Sequence, residues 1–229
     1  MLISCIIPTR NRPDFVVEAV RSVLAQSHRH LELIIVNDGS TPVPAFDDVR
    51  VRIIDAGQRG AVPARNLGLA TAQGEAIAWL DDDDVWTDTH FLAACTTHLS
   101  SKSDFVFADG ALVFPDGRRK SFAHDADAKT LERDNTILIS AVCYRSSLHT
   151  ELGVFDEALP YYWDWDWYLR VARAGKLLTR LVTPVVDIRI HAQNMSGHSN
   201  SEARGVNLSR FCDKHALPKI PLKSHVDFV

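Results

Sequence analysis

Four cysteines, Cys5, Cys95, Cys143 and Cys212, are widely separated and no two form a Cys-x-x-C pair, so buried free thiols in a reducing compartment are expected. No apolar run approaches the roughly 20 residues needed to span a bilayer. The apolar opening lacks the basic start of a signal sequence and is stopped by Pro8 and Arg10. Cytoplasmic residence is therefore expected, with peripheral contact to a lipid-linked substrate left open. An excess of positive charge is also missing: 25 Lys and Arg against 29 Asp and Glu give a formal net charge of -4, which offers nucleic acid no general attraction. Internal repeats and low-complexity segments are lacking too, and 229 residues suit one globular unit.

What the chain does contain is an ordered set of short apolar runs, each ending in a polar loop. Residues 2–7 predict a buried strand that ends in Pro8-Thr9-Arg10-Asn11-Arg12, and Pro13 then suits the first turn of a helix. Residues 31–36 predict a second strand, broken at Asn37-Asp38-Gly39-Ser40. Residues 51–54 predict a third, followed by a helix from Pro63 that carries Arg65 and Asn66. Residues 75–80 form a run that ends abruptly in Asp81, Asp82, Asp83 and Asp84. Four adjacent carboxylates repel one another, so a divalent cation or several donors should sit among them. If the segment stays extended, Asp81 and Asp83 share one face and Asp82 and Asp84 the other. A helix capped by Thr87 or Asp88 should follow, running through Leu99.

This alternation is the pattern of an α/β protein with a parallel, doubly wound sheet. It stops near residue 110. A strand at 105–107 precedes that point, and beyond it lie a hairpin around Pro115-Asp116-Gly117, a strand at 137–144 and a helix entered at Asp164. One or two strands within 177–190 lead to His191, and the remainder past Gly197 reads as peripheral, with a helix near 202–215.

The stretches Cys5-Ile-Ile-Pro-Thr-Arg-Asn-Arg12, Leu33-Ile-Ile-Val-Asn-Asp-Gly-Ser40, Arg59 to Ala70, Ala78-Trp-Leu-Asp-Asp-Asp-Asp84, Gly153-Val-Phe-Asp156 and Trp163 to Arg170 occur in the order of a known family. Together they resemble the inverting glycosyltransferases of family 2. The resemblance implies the GT-A fold, a Rossmann-like and mostly parallel sheet flanked by helices. It implies one domain over 1–229, with 1–110 holding a nucleotide sugar, 111–196 an acceptor and 197–229 peripheral. It also implies Mn2+ or Mg2+, a donor for which UDP-sugar is favoured, and a saccharide or lipid-linked acceptor in bacterial polysaccharide assembly.

Carried over residue by residue, the resemblance makes Asp83 the direct metal ligand, with Asp81 and His191 as further metal candidates. Asp81 and Asp82 also lie near the ribose, sugar or metal-bound water. Pro8, Thr9, Arg12, Asp38 and Arg65 line the nucleotide and its phosphates, with Arg189 and Asn194 as weaker contacts. Asp164 is the expected base, preferred to Asp166; the two stand two residues apart on a helix and cannot share a face. The position before Asp164 holds Trp163 where the family commonly has an acid, and Trp163 becomes the acceptor-stacking candidate. Trp167 is assigned to the core. Two rivals stand beside this reading: a catalytically silent nucleotide-sugar binder, and a haloacid-dehalogenase-like phosphatase using Asp81.

Overall fold

Strand β1 (Ile3–Thr9) is buried along its whole length in a computed structural model that describes residues 1–192, 194, 201–223 and 225–228. Its alternate side chains feed two cores. Ile3, Cys5 and Ile7 join Val16, Val20, Leu33, Ile35 and Phe91 on one face, while Ile6 joins Ile34, Val36, Trp79 and Trp167 on the other. A strand buried on both faces must be apolar throughout, which is why the sequence reads as a run and not as an alternation.

The parallel part of the sheet consists of β1, β2 (Leu31–Asn37), β3 (Val51–Asp55) and β4 (Ala76–Trp79), with β1 between β2 and β4. Helix α1 (Pro13–Leu24) links β1 to β2, and α2 (Ala61–Thr71) links β3 to β4. The link between α2 and the sheet is close: a Cβ at Gly68 would lie 2.7 Å from a methyl of Ile6 and 3.1 Å from one of Val36. After the aspartates come β5 (Val85–Trp86), α3 (Phe91–Leu99), β6 (Phe105–Val113) and β7 (Arg119–Phe122). The rest is α4 (Ala128–Leu131), β8 (Val142–Arg145), α5 (Ser147–Leu152), α6 (Trp163–Arg173), β9 (Leu178–Arg189) and α7 (Ser201–His215). The sheet runs β3-β2-β1-β4-β8-β6-β9-β5, with β7 paired to β6. Strand β8 is antiparallel to both β4 and β6, and β5 is antiparallel to β9. Only Leu80 and the four aspartates separate β4 from β5, yet β5 closes the far end of the order, so the sheet curls back on itself around that segment.

Several expectations change. The strand expected at 137–144 is broken by a 3-10 turn at Ile139–Ala141, and only Val142–Arg145 pairs. The turn aims Ser140 at the aspartates, and its carbonyl takes the indole N–H of Trp86 at 2.7 Å. The helix expected from Thr87 or Asp88 starts at Phe91, because the N–H groups of both residues bond the Val185 carbonyl of β9. Strand β6 continues to Val113, with a bulge against β9 near Asp109, and the Pro115-Asp116-Gly117 hairpin follows it. Helix α7, within the segment expected to be peripheral, packs into the core. Phe211 of α7 is fully buried and stacks on Trp165 of α6 at 4.4 Å, so α7 closes one face of the molecule. Gln193, Met195 and Ser196 of the His191 motif, and the expected boundary at Gly197, lie outside the described residues. Among the described residues no helix is long and apolar enough to cross a membrane. The four cysteines are buried and unpaired.

Candidate active site

A cleft of about 530 Å³ opens where β1, β2 and β4 end, and α6, α7 and the loop after α4 form its other side. Open α/β sheets hold ligands at these carboxyl ends. Pro8 and Thr9 line the cleft from the end of β1, Asp38 from the end of β2, and Asp81 to Asp84 from the end of β4.

The aspartates do not alternate as an extended segment would. The Asp84 N–H bonds the Asp81 carbonyl at 3.1 Å, so the four residues turn and Asp84 comes round to the side of Asp81 and Asp83. One carboxylate oxygen from each of Asp81, Asp83 and Asp84 lies within 4.8 Å of the others. Asp84 is thus an addition to the expected set. Three hard oxygen donors this close fit Mg2+ or Mn2+ by chemistry and spacing.

Each aspartate has a different partner. Asp82 accepts the Thr9 hydroxyl at 2.7 Å and a bond from Arg12 at 3.1 Å. Asp83 accepts Arg12 at 2.7 Å and His191 Nε2 at 2.9 Å on the same oxygen. Asp84 accepts the Ser140 hydroxyl at 2.6 Å and the Arg189 N–H at 3.2 Å, while Ser140 Oγ accepts the Asp81 N–H at 3.0 Å. Asp81 pairs with Arg65. Burial pushes the Asp82 carboxyl up to about 6, with the charge of Asp83 adding and the Thr9 hydroxyl and Arg12 opposing. Burial, then Asp83 and Asp81, push Asp84 well above the ordinary carboxylate range. Asp81 is also raised by burial, with Arg65 opposing and Asp83 adding.

Arg65 is a buried cation rather than a surface charge. Its guanidinium bonds the Ala61 carbonyl at 3.2 Å and lies over the Trp163 ring, 4.4 Å from the centroid. It therefore joins the aspartate turn to the start of α6. Asp38 is buried at the end of β2, where it accepts the Gly60 N–H and faces Arg10 at 3.7 Å. It works as a loop former and also lines the cleft. Asn11, in left-handed backbone at φ 58°, accepts the N–H groups of Ser40 and Thr41 at 2.9 Å and so ties the β1 loop to the β2 loop.

On α6, Asp164 and Trp163 line the cleft and Asp166 does not. Asp166 is fully buried, against His215 at 2.8 Å, Arg170 at 2.9 Å and Lys214 at 2.6 Å. Burial raises its pKa, but the hydrogen bonds from His215 and Lys214 and the charge of Arg170 outweigh that and leave it lowered. Asp164 is raised, because burial outweighs the hydrogen bond from Asn135 and the charge of Arg65. Trp167 is fully buried in the core, as expected.

His191 stands behind Asp83, outside the cleft lining, stacked on Phe15 at 5.5 Å. Arg189 acts as a strut: it bonds the Asp83 carbonyl and Glu18 and lies over Phe15. Asn194 does reach the cleft wall. Ser140 and the cleft-lining Asn135, Arg204 and Lys223 carried no local signal in the sequence; only packing brings them there.

The sequence profile of the family described as "Glycosyl transferase family 2" matches residues 4–150, which include the aspartates but stop short of α6. The glycosyltransferase YwdF of Bacillus subtilis strain 168, itself uncharacterised, is 32% identical over 241 aligned positions, covering 98% of this chain and 88% of that protein. TuaG of the same organism, named for teichuronic acid biosynthesis, is 33% identical over 148 positions, 60% of this chain and 59% of TuaG. Among solved structures, residues 1–349 of S. aureus TarS with UDP-GlcNAc superpose with a TM-score of 0.72 at 16% identity, over 93% of this chain and 66% of that one. The mannosyltransferase PcManGT of Pyrobaculum calidifontis, with GDP-Man and Mn2+, gives 0.68 at 16% identity, over 94% and 65%. The chain thus spans about two thirds of each structural relative. Both likenesses establish the GT-A fold, which sets aside the haloacid-dehalogenase-like reading of Asp81. The profile match over more than half the chain and the near full-length relative carry the assignment further: the chain belongs to glycosyltransferase family 2.

Proposed function

We propose that this protein moves a sugar, with inversion, from a nucleoside diphosphate donor to a hydroxyl of a saccharide or glycolipid acceptor. The observation that carries the reading is that the aspartate turn and Asp164 open on one cleft, with Arg65 bridging them through Asp81 and Trp163. The nucleoside would lie against Pro8, Thr9 and Asp38, with Arg12 and Arg65 beside the diphosphate. A UDP-sugar is the favoured donor, supported by the TarS complex with UDP-GlcNAc. The setting is bacterial polysaccharide assembly, supported by the name of TuaG.

Mn2+ or Mg2+ would be held by Asp81, Asp83 and Asp84, with His191 adjacent through Asp83. When bound, the cation offsets negative charge growing on the diphosphate as the glycosidic bond breaks. Asp164 takes the proton of the acceptor hydroxyl as its oxygen bonds the anomeric carbon. The diphosphate leaves from the opposite face with the bonding electron pair, so the configuration inverts. A raised pKa suits that carboxylate to its task, since it makes the ionised form a stronger base. Trp163, which lines the cleft beneath Arg65, would border the acceptor. On this reading residues 1–110 hold the donor and 111–196, helped by α7, the acceptor.

The test is incubation of purified protein with Mn2+ and a panel of nucleotide sugars, with a chelator in parallel. Sugar transfer or nucleotide release that the chelator abolishes supports the reading. Binding without turnover, or phosphate release from simple esters instead, overturns it.

A further inference from the structure

Asp164 lies in the first turn of α6, and the side chain that holds it comes from the loop after α4. Asn135 Nδ2 donates to Asp164 Oδ2 at 3.0 Å. An ionised carboxylate only accepts, so the amide nitrogen must face it. This orientation leaves Asn135 Oδ1 buried without a donor. A buried carbonyl left unpaired is costly, and an asparagine kept in that state earns its place through its other end.

The loop is built to deliver this contact. The Trp165 indole N–H donates to the Leu131 carbonyl at 2.6 Å, which fixes the end of α4 on α6. Arg173, two turns further along α6, grips Glu132 at 2.8 and 3.2 Å. The Thr136 hydroxyl donates to the Asp125 carbonyl at 3.0 Å. Asn135 is thus anchored on both sides, and both it and Asp164 line the cleft.

We propose that Asn135 is a positioning residue for sugar transfer: by engaging Asp164 Oδ2 it turns Oδ1 of the same carboxylate toward the acceptor hydroxyl. This inference rests on the transferase reading with Asp164 as base. The proton then passes from the acceptor hydroxyl to Asp164 Oδ1, while the amide holds the group against rotation. Other groups acting on Asp164 are the backbone N–H of Trp165 and the charge of Arg65 from α2, both of which favour the ionised form, and Tyr162 and Tyr168 interact with it from the same helix end. Donation from Asn135 also favours the ionised form.

The test is the Asn135→Ala protein, with Asn135→Asp as an isosteric variant that replaces the donor by an acceptor. In Asn135→Ala kcat should fall by up to about 100-fold, the effect of a misplaced reacting group. KM for the nucleotide sugar should stay within about twofold, because Asn135 bonds Asp164 and none of the side chains assigned to the donor. The acid limb of kcat/KM should move to higher pH, further in Asn135→Asp, and the carboxyl carbon NMR titration of Asp164 in ligand-free protein should move the same way. An unchanged limb and an unchanged titration, even with a lower Tm, would reduce Asn135 to a loop anchor and overturn the inference while the transferase reading stands. A wild-type protein that transfers no sugar would overturn both.

Discussion

Arg12 and Asp83 meet at the floor of the cleft, with Arg12 Nη1 2.7 Å from Asp83 Oδ2. A guanidinium therefore sits on one oxygen of a carboxylate that would hold a divalent cation, so the two positive charges compete for Asp83. Calorimetry with Mn2+ alone should give a several-fold tighter Kd for Arg12→Gln than for the wild type, since a competing charge is gone. Asp83→Asn should lose the Mn2+-dependent rise in Tm altogether. Equal Mn2+ affinity in all three proteins would place the cation elsewhere.

The two acids of α6 should separate cleanly. Asp164→Asn should lower kcat by about 10² to 10⁴-fold, the range for a general base, with little change in Tm. Asp166→Asn should instead destabilise by about 3 kcal/mol, because Arg170, Lys214 and His215 lose their buried counter-charge. The folded-state pKa of Asp166 is depressed, so its stabilisation is present above the ordinary carboxylate range and fades as pH falls through the lowered value. Urea unfolding across that acid range, wild type against variant, measures the difference.

Arg65→Lys tests the bridge between the cleft's two sides. A lysine can still pair with Asp81 but cannot lie flat on Trp163. The expected result is a rise of about tenfold in KM for the nucleotide sugar and a loss in kcat. Wild-type kinetics in the variant would make the stacking incidental.

His149 gives a pH signature away from the cleft. Its Nδ1 faces the Gly153 carbonyl at 3.0 Å and must donate, so Nε2 accepts the Tyr144 hydroxyl at 2.9 Å. That hydroxyl in turn accepts the Trp79 indole N–H at 2.7 Å. The ring is held neutral, and burial, then the charge of Arg170, push its pKa down to about 4 against the Gly153 bond. The unfolded imidazole protonates nearer 6.5, so the stabilisation is complete above that pH and is lost as pH falls toward 4. Thermal melts of His149→Gln against wild type should show a gap that closes over this window; a constant gap would refute the neutral assignment.

The parallel half of the sheet was legible because buried strands write themselves as unbroken apolar runs, and β1, β2, β3 and β4 fall within a residue or two of those runs. Polar residues directly after such runs fall at strand ends, which is why Thr9, Asp38 and Asp81 reach one cleft. The later half was harder. Whether residues 137–144 pair or turn depends on Ser140 finding Asp81 and Asp84, nearly sixty positions away.

The sequence by itself determined the order of strands and helices through β4, the class of fold and the identity of the acids at the end of β4. These follow from side-chain period and from the cost of burying polar groups, both local properties of the chain. Tertiary structure alone decided that the aspartates turn instead of alternating, that Asp164 faces the cleft while Asp166 faces Lys214 and His215, and that α7 and Asn135 help build the site. Those outcomes depend on the sheet curling until β9 lies beside both β6 and β5, and such closure is a balance among contacts distant in the chain that no short stretch encodes.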